Sequence, residues 1–161
     1  MTSSTPGPSP SPPPRPRLDA ATVSALQAAL AAEHAAVWAY GLIAAYLPVE
    51  RAEAVADAVA THRARRDATE RLLTDAGVGP VTAEPAYRVP EPVDGPADAQ
   101  RLAVTAETDT AQTWRSAIER SSLRQVRAAA LEALTGAAVR AARWRAAAGD
   151  ETVTVPFPGK P

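Results

Sequence analysis

Glu33 lies inside an apolar stripe. Val23, Leu26, Leu30, Glu33, Val37, Tyr40, Ala44 and Leu47 recur at alternating steps of three and four, which puts them on one face of a helix. That face packs inward in a helical assembly. A buried carboxylate is costly unless it is protonated, paired or bound to a metal. What meets Glu33 therefore decides its chemistry. A second stripe, Val55, Val59, His62, Arg66, Thr69 and Leu73, carries three polar residues. A third runs through Val104, Glu107, Ala111, Trp114 and Ile118. On the last segment, Leu123, Ala130, Leu134, Ala137, Ala141 and Trp144 share a face, with Glu132 beside it.

Two kinds of site fit these residues. The first is a buried polar layer in which Glu33 pairs with His62 and Arg66, and Tyr40 hydrogen-bonds into it; such a layer fixes helix register. The second is a metal site built from Glu33, His62, Glu107 and Glu132, with iron or manganese as the ion. The first is the preferred reading, so no cofactor is expected. His34 follows Glu33 but points about 100° away around the helix. It shares a face with Trp38, Gly41 and Ala45, expected to pack on another helix or a second subunit, with Gly41 marking close approach. No catalytic residue is assigned. With two histidines and no cysteine, triad and thiolate chemistry have no support. GVGP (77–80) leads into prolines and not into a helix, so it is not a phosphate loop.

The elements that position these residues follow from composition and punctuation. Hydrophobic residues make up 46% of the 161, but much of this is alanine and only 4% is aromatic. The chain is strongly helical in propensity, and its core is thin, so Trp38, Trp114, Trp144, Leu72 and Leu73 carry much of the packing. A net charge of −1 offers no basic surplus for nucleic acid or an anionic membrane. No run of 18 or more apolar residues occurs, and the start of the chain lacks the apolar segment of a secretory signal. The expectation is a soluble, cytoplasmic protein.

Residues 1–17, rich in Pro and Ser, form an expected disordered or polyproline tail. Residues 18–158 form the folded domain. Helices are expected over about 19–47, with Asp19 or Thr22 as cap, and over 50–76, 97–121 and 123–148. Pro48 ends the first and Gly77 the second. Residues 77–97 hold prolines throughout and read as a long connection. The closing TVTVPFPGKP is expected to pack back on the helices as an extended arm. Helices of roughly 26 residues span roughly 39 Å, and an extended linker of about 20 residues reaches roughly 66 Å. Such a linker can cross the full length of the assembly. Two tight antiparallel hairpins joined by one long crossover make an all-α, ferritin-like four-helix bundle.

A di-iron site on that fold uses a Glu from each of two helices and Glu-x-x-His from each of the others. Here His62 has Val59 where its Glu should stand, and Glu132 has Thr135 where its His should stand. Glu33 is followed three later by Ala36, and Glu107 by Thr110. The ligand set is incomplete. AAEHAAVWAYG (31–41), ATHRARRDATERLL (60–73), PVTAEPAYRVP and TVPFPG resemble an Ala-rich ferritin-like family of unknown function, over roughly 20–158. The resemblance implies a four-helix ferritin-like fold and no particular activity. The expected function is binding or assembly, with a homodimer as the expected partner state. A non-standard iron or manganese oxidase or iron-handling protein is the alternative, and a small-ligand pocket in the core is a further one.

Overall fold

The computed structural model describes residues 17–160. Among these there are four long helices and no strand: α1, Ala20–Tyr46; α2, Ala52–Asp75; α3, Pro96–Arg120; and α4, Arg124–Ala148. A 3-10 turn at Val49–Arg51 joins α1 to α2. The tail expected at 1–17 lies, apart from Arg17, outside the described residues.

Local chemistry sets the ends. Asp19 caps α1 by accepting the Thr22 N–H at 2.7 Å, and Thr22 itself is buried. Leu47, ahead of Pro48, turns extended and stops α1. Pro96 opens α3, where its missing N–H costs nothing. Gly149 closes α4 at φ 81°, the left-handed conformation that favours glycine.

α1 packs along both α2 and α3, and α3 along α4. α2 and α4 make no extended contact, which leaves a seam between them. The apolar core forms two clusters. One gathers Leu26, Leu30, Leu73, Trp114 and Val126. The other gathers Tyr40, Ile43, Val55, Leu102 and Trp144. Glu33, His62 and Glu107 lie between the two clusters along their helices and are fully buried.

The buried arcs differ from the apolar stripes. α1 buries Thr22, Ala25, Ala29, Ala36 and Ile43 beside Leu26, Leu30, Glu33 and Tyr40. Ala44 is exposed. The arc is wide because α1 meets two helices. By length and composition α1 is also apolar enough to cross a membrane, although polar residues interrupt its sequence. In the fold it is a central helix. One turn before His62 on α2, Ala58 is fully buried and Val59 only partly so. Gly41 marks no close approach: it is exposed, and a Cβ there would meet nothing within 4 Å.

The connection between α2 and α3 covers the second face of α1. Gln27 donates to the Gly79 carbonyl and accepts from Val81 N–H. His34 Nε2 lies 3.3 Å from the Val81 carbonyl and 3.5 Å from Glu70. Trp38 packs on Tyr87 at 5.8 Å between ring centres. Val93 joins the cluster around Tyr40. The His34–Trp38 face is thus occupied by the connection, where a helix or second subunit was expected. The C-terminal residues Thr154, Val155 and Pro158 lie with Thr108 of α3 and Leu134 of α4 around a shared groove. Gly159, at φ 76°, sits so close to α3 that a Cβ would stand 2.6 Å from the Ala111 carbonyl oxygen.

Candidate functional site: a closed polar layer and an open seam

α1, α2 and α3 bring Glu33, His62 and Glu107 into one chain of hydrogen bonds, with His62 between the carboxylates. His62 Nδ1 lies 2.6 Å from Glu33 Oε2 and Nε2 lies 3.2 Å from Glu107 Oε1. Two acceptors on the two ring nitrogens require two N–H donors, so the ring is an imidazolium. Burial pulls the imidazole pKa down, but the bonds to Glu107 and Glu33 hold it above its ordinary value. Trp114 Nε1 donates to the other Glu33 oxygen at 2.6 Å. On the far side, Arg140 of α4 grips Glu107 bidentately, Nε at 2.7 Å and Nη2 at 2.9 Å. Tyr40 donates to Glu107 Oε1 at 2.6 Å and accepts from Trp144 Nε1 at 2.8 Å. Burial would raise the Glu107 pKa, yet His62 and Arg140 hold it below the usual carboxylate range. Burial and the neighbouring Glu107 drive the Tyr40 phenol far up, so it remains a neutral donor.

Of the residues singled out by spacing, Glu33, His62, Tyr40 and Glu107 meet. Arg66 does not join them. Its guanidinium turns to Asp67, with Nη2 2.7 Å from the carboxylate and the side chain partly exposed. Arg65 and Arg66 follow His62 by three and four residues, so they flank its line from opposite edges. Arg65 holds the edge at the seam with α4. Glu132 is exposed, because the buried line of α4 runs through Ala133 and Ala137, about 100° round from it. The residue that answers the layer's second carboxylate is Arg140. Its signal was present: it lies three after Ala137 and four before Trp144, on the buried face. The sequence reading assigns Trp114 and Trp144 no hydrogen bond, although a buried indole N–H ordinarily finds an acceptor.

These residues do not fit a di-metal centre. Both oxygens of Glu33, both of Glu107 and both nitrogens of His62 are engaged by other side chains. The ring stands between the carboxylates, so the donors face one another and not a common point. Among the described residues no group of three or more His, Asp or Glu side chains is arranged to hold an ion.

Charge balance separates Arg65 from this layer. Two carboxylates, Glu33 and Glu107, meet two cations, His62 and Arg140. Arg65 is in none of these ion pairs, and its Nη1 is buried without a hydrogen-bond partner. Burial and then the like charge of Arg140 lower its pKa, against attraction from Glu33, Glu107 and Glu132. Gly136 makes room for it: a Cβ there would stand 2.5 Å from Arg65 Nη2 and 3.4 Å from Arg140 Nη1. Arg65 and Trp114 also line a groove of about 590 Å³ in the seam, walled by Leu26, Leu72, Val126 and Ala129.

The chain is similar to a conserved hypothetical protein, rv2844, from Mycobacterium tuberculosis, known from a crystal structure. The two share 41% identity and a TM-score of 0.77, over 79% of this chain and 96% of the other. No curated protein matches the chain. Residues 25–161 match the family described as a domain of unknown function (DUF4439), and the chain belongs to that family.

Proposed function

We propose that the protein is a ferritin-like four-helix bundle that works by binding, with its mid-height polar layer serving as a rigid internal floor and not as a redox centre. The observation that carries this reading is the engagement of every donor atom of Glu33, His62 and Glu107 by a neighbouring side chain. A metal entering here must displace bonds to Trp114 and Arg140 and strip the proton from His62. The ferritin-like arrangement is supported by the order of contacts made by residues 77–95, which meet Gln27, then His34, then Trp38, then the cluster around Tyr40 along α1. Self-association is part of the proposal. Leu131 and Val139 on α4 and Phe157 on the arm are exposed apolar residues that a second copy would cover.

Elemental analysis of protein produced with added iron and manganese tests the reading. Metal well below one ion per chain is expected. A whole number of ions per chain, lost in Glu33→Ala and in His62→Ala, overturns it. Light scattering on the same samples tests self-association, and a monomer at all concentrations removes that part.

A further inference from the structure

We propose that the seam between α2 and α4 binds an alkyl carboxylate, with Arg65 receiving the carboxylate and the apolar groove the chain. This inference rests on the binding reading above and names the ligand class. Three observations carry it.

The first is charge. The polar layer closes on itself, two carboxylates to two cations, and leaves Arg65 as a surplus cation. Arg65 makes no ion pair in the fold and its Nη1 is buried without a hydrogen-bond partner, while Glu132, which lines the same groove, attracts it only from a distance. Its planar fork matches a carboxylate with two parallel hydrogen bonds.

The second is shape. The groove holds about 590 Å³, within the range of roughly 300–1,000 Å³ typical of small-ligand sites. Its walls are mainly apolar: Leu26, Leu72, Val126 and Ala129, with the Trp114 ring. Small residues on both helices keep the seam open. That combination suits one alkyl chain with one charged end. Glu132, exposed, lines the same groove and adds repulsion that grows with the charge of an anionic ligand.

The third is placement. Gly136 leaves room for the guanidinium, because a Cβ there would stand 2.5 Å from Nη2 and the end of the side chain would have to shift. Arg140, locked on Glu107, approaches the same glycine, and its like charge repels Arg65. Arg65 therefore lines the groove wall without an ion pair of its own.

Calorimetric titration of the full chain with decanoate tests the proposal, followed in parallel by tryptophan emission, since Trp114 lines the groove. Saturable binding at a single site is expected, with a shift in emission. Decanol and decyltrimethylammonium should bind at least about tenfold more weakly, because they offer no anion to the guanidinium. Arg65→Met should weaken decanoate by a similar factor. Gly136→Ala, which displaces the guanidinium while keeping its charge, should also weaken it. Absence of decanoate binding, equal affinity for decanol, unchanged affinity in Arg65→Met, or a preference for decyl phosphate each overturns the assignment. The metal analysis stands apart from it. Stoichiometric metal with intact decanoate binding refutes the metal-free layer alone, and a metal-free protein that ignores decanoate refutes the ligand alone.

Discussion

Arg140 and Arg65 stand within reach of the same glycine, yet they live in different electrostatic worlds. Arg140 is clamped on Glu107 by two hydrogen bonds and belongs to a layer in which positive and negative charges balance. Arg65, across the seam, has a buried N–H with no acceptor. A buried charge with all its partners supplied is explained by the fold that supplies them. A charge beside that layer without an ion pair of its own is not. The layer is the part of the molecule that the fold completes, and the seam is the part it leaves incomplete.

The largest expected effect comes from removing the centre of the layer. His62→Ala leaves two buried carboxylates facing each other without the cation between them, and should cost about 4 kcal/mol. Urea denaturation of variant and parent reads it directly. A cost under about 1 kcal/mol would mean that water or a shared proton replaces the imidazolium, and the layer would not be closed in the sense used here. Arg140→Met removes one cation while leaving Glu107 its bonds to His62 and Tyr40, so a cost of about 3 kcal/mol is expected by the same measurement.

Acidity and alkalinity probe the layer without deleting anything. The His62 pKa is raised in the fold, so its contribution is complete below the ordinary imidazole value and is lost as pH climbs through the raised one. The Glu107 pKa is lowered, so its contribution is complete above the ordinary carboxylate value and is lost as pH falls through the lowered one. Stability should therefore be greatest between the ordinary carboxylate and imidazole ranges and decline on both sides. Denaturation midpoints measured across pH check this. In His62→Ala the alkaline decline should disappear.

How far these residues were legible in sequence follows from the same contrast. Glu33, His62, Glu107 and Tyr40 stood out because a polar residue at apolar spacing is conspicuous against leucine, valine and tryptophan. The identity of the answering arginine was not. Alanine gives no contrast between buried and exposed faces. On α2 the stripe runs through Val59, whereas at that turn Ala58 is the residue fully buried. That small rotation exchanges Arg65 for Arg66. On α4 the buried line is Ala130, Ala133, Ala137 and Ala141, ending at Trp144. Against so little contrast, Arg140 does not stand out from Arg143 and Arg145 after it. The helices were visible through their caps and prolines. The cover of the His34 face by residues 77–95 was not, because a Pro-rich segment without periodicity carries no sign of which surface it will meet.

The seam predicts an effect of opposite sign. Arg65→Met removes a half-buried cation that has no partner and leaves an apolar chain in an apolar groove. It should raise stability by about 1 kcal/mol while weakening decanoate binding. That pairing is the signature of a residue kept for a ligand at the expense of the fold. If Arg65→Met destabilises the protein, Arg65 is structural and the two halves of the seam are alike.

The smallest expected effect belongs to Arg66, and it makes the comparison sharp. Arg66 differs from Arg65 by one position on α2, carries the same charge and has the same length. Its ion pair is with Asp67, whose side chain is 45% exposed. Exposed pairs of this kind contribute little, because water already solvates both groups and two long side chains must be held still. Arg66→Met should change stability by no more than about 0.5 kcal/mol. It should also leave decanoate binding within about twofold of the parent, a difference of about 0.4 kcal/mol. The pair of variants therefore removes the same charge from neighbouring positions. If both lower decanoate affinity equally, the ligand is held by the combined charge of the neighbouring arginines and no particular guanidinium. If only Arg65→Met does, the site is the seam.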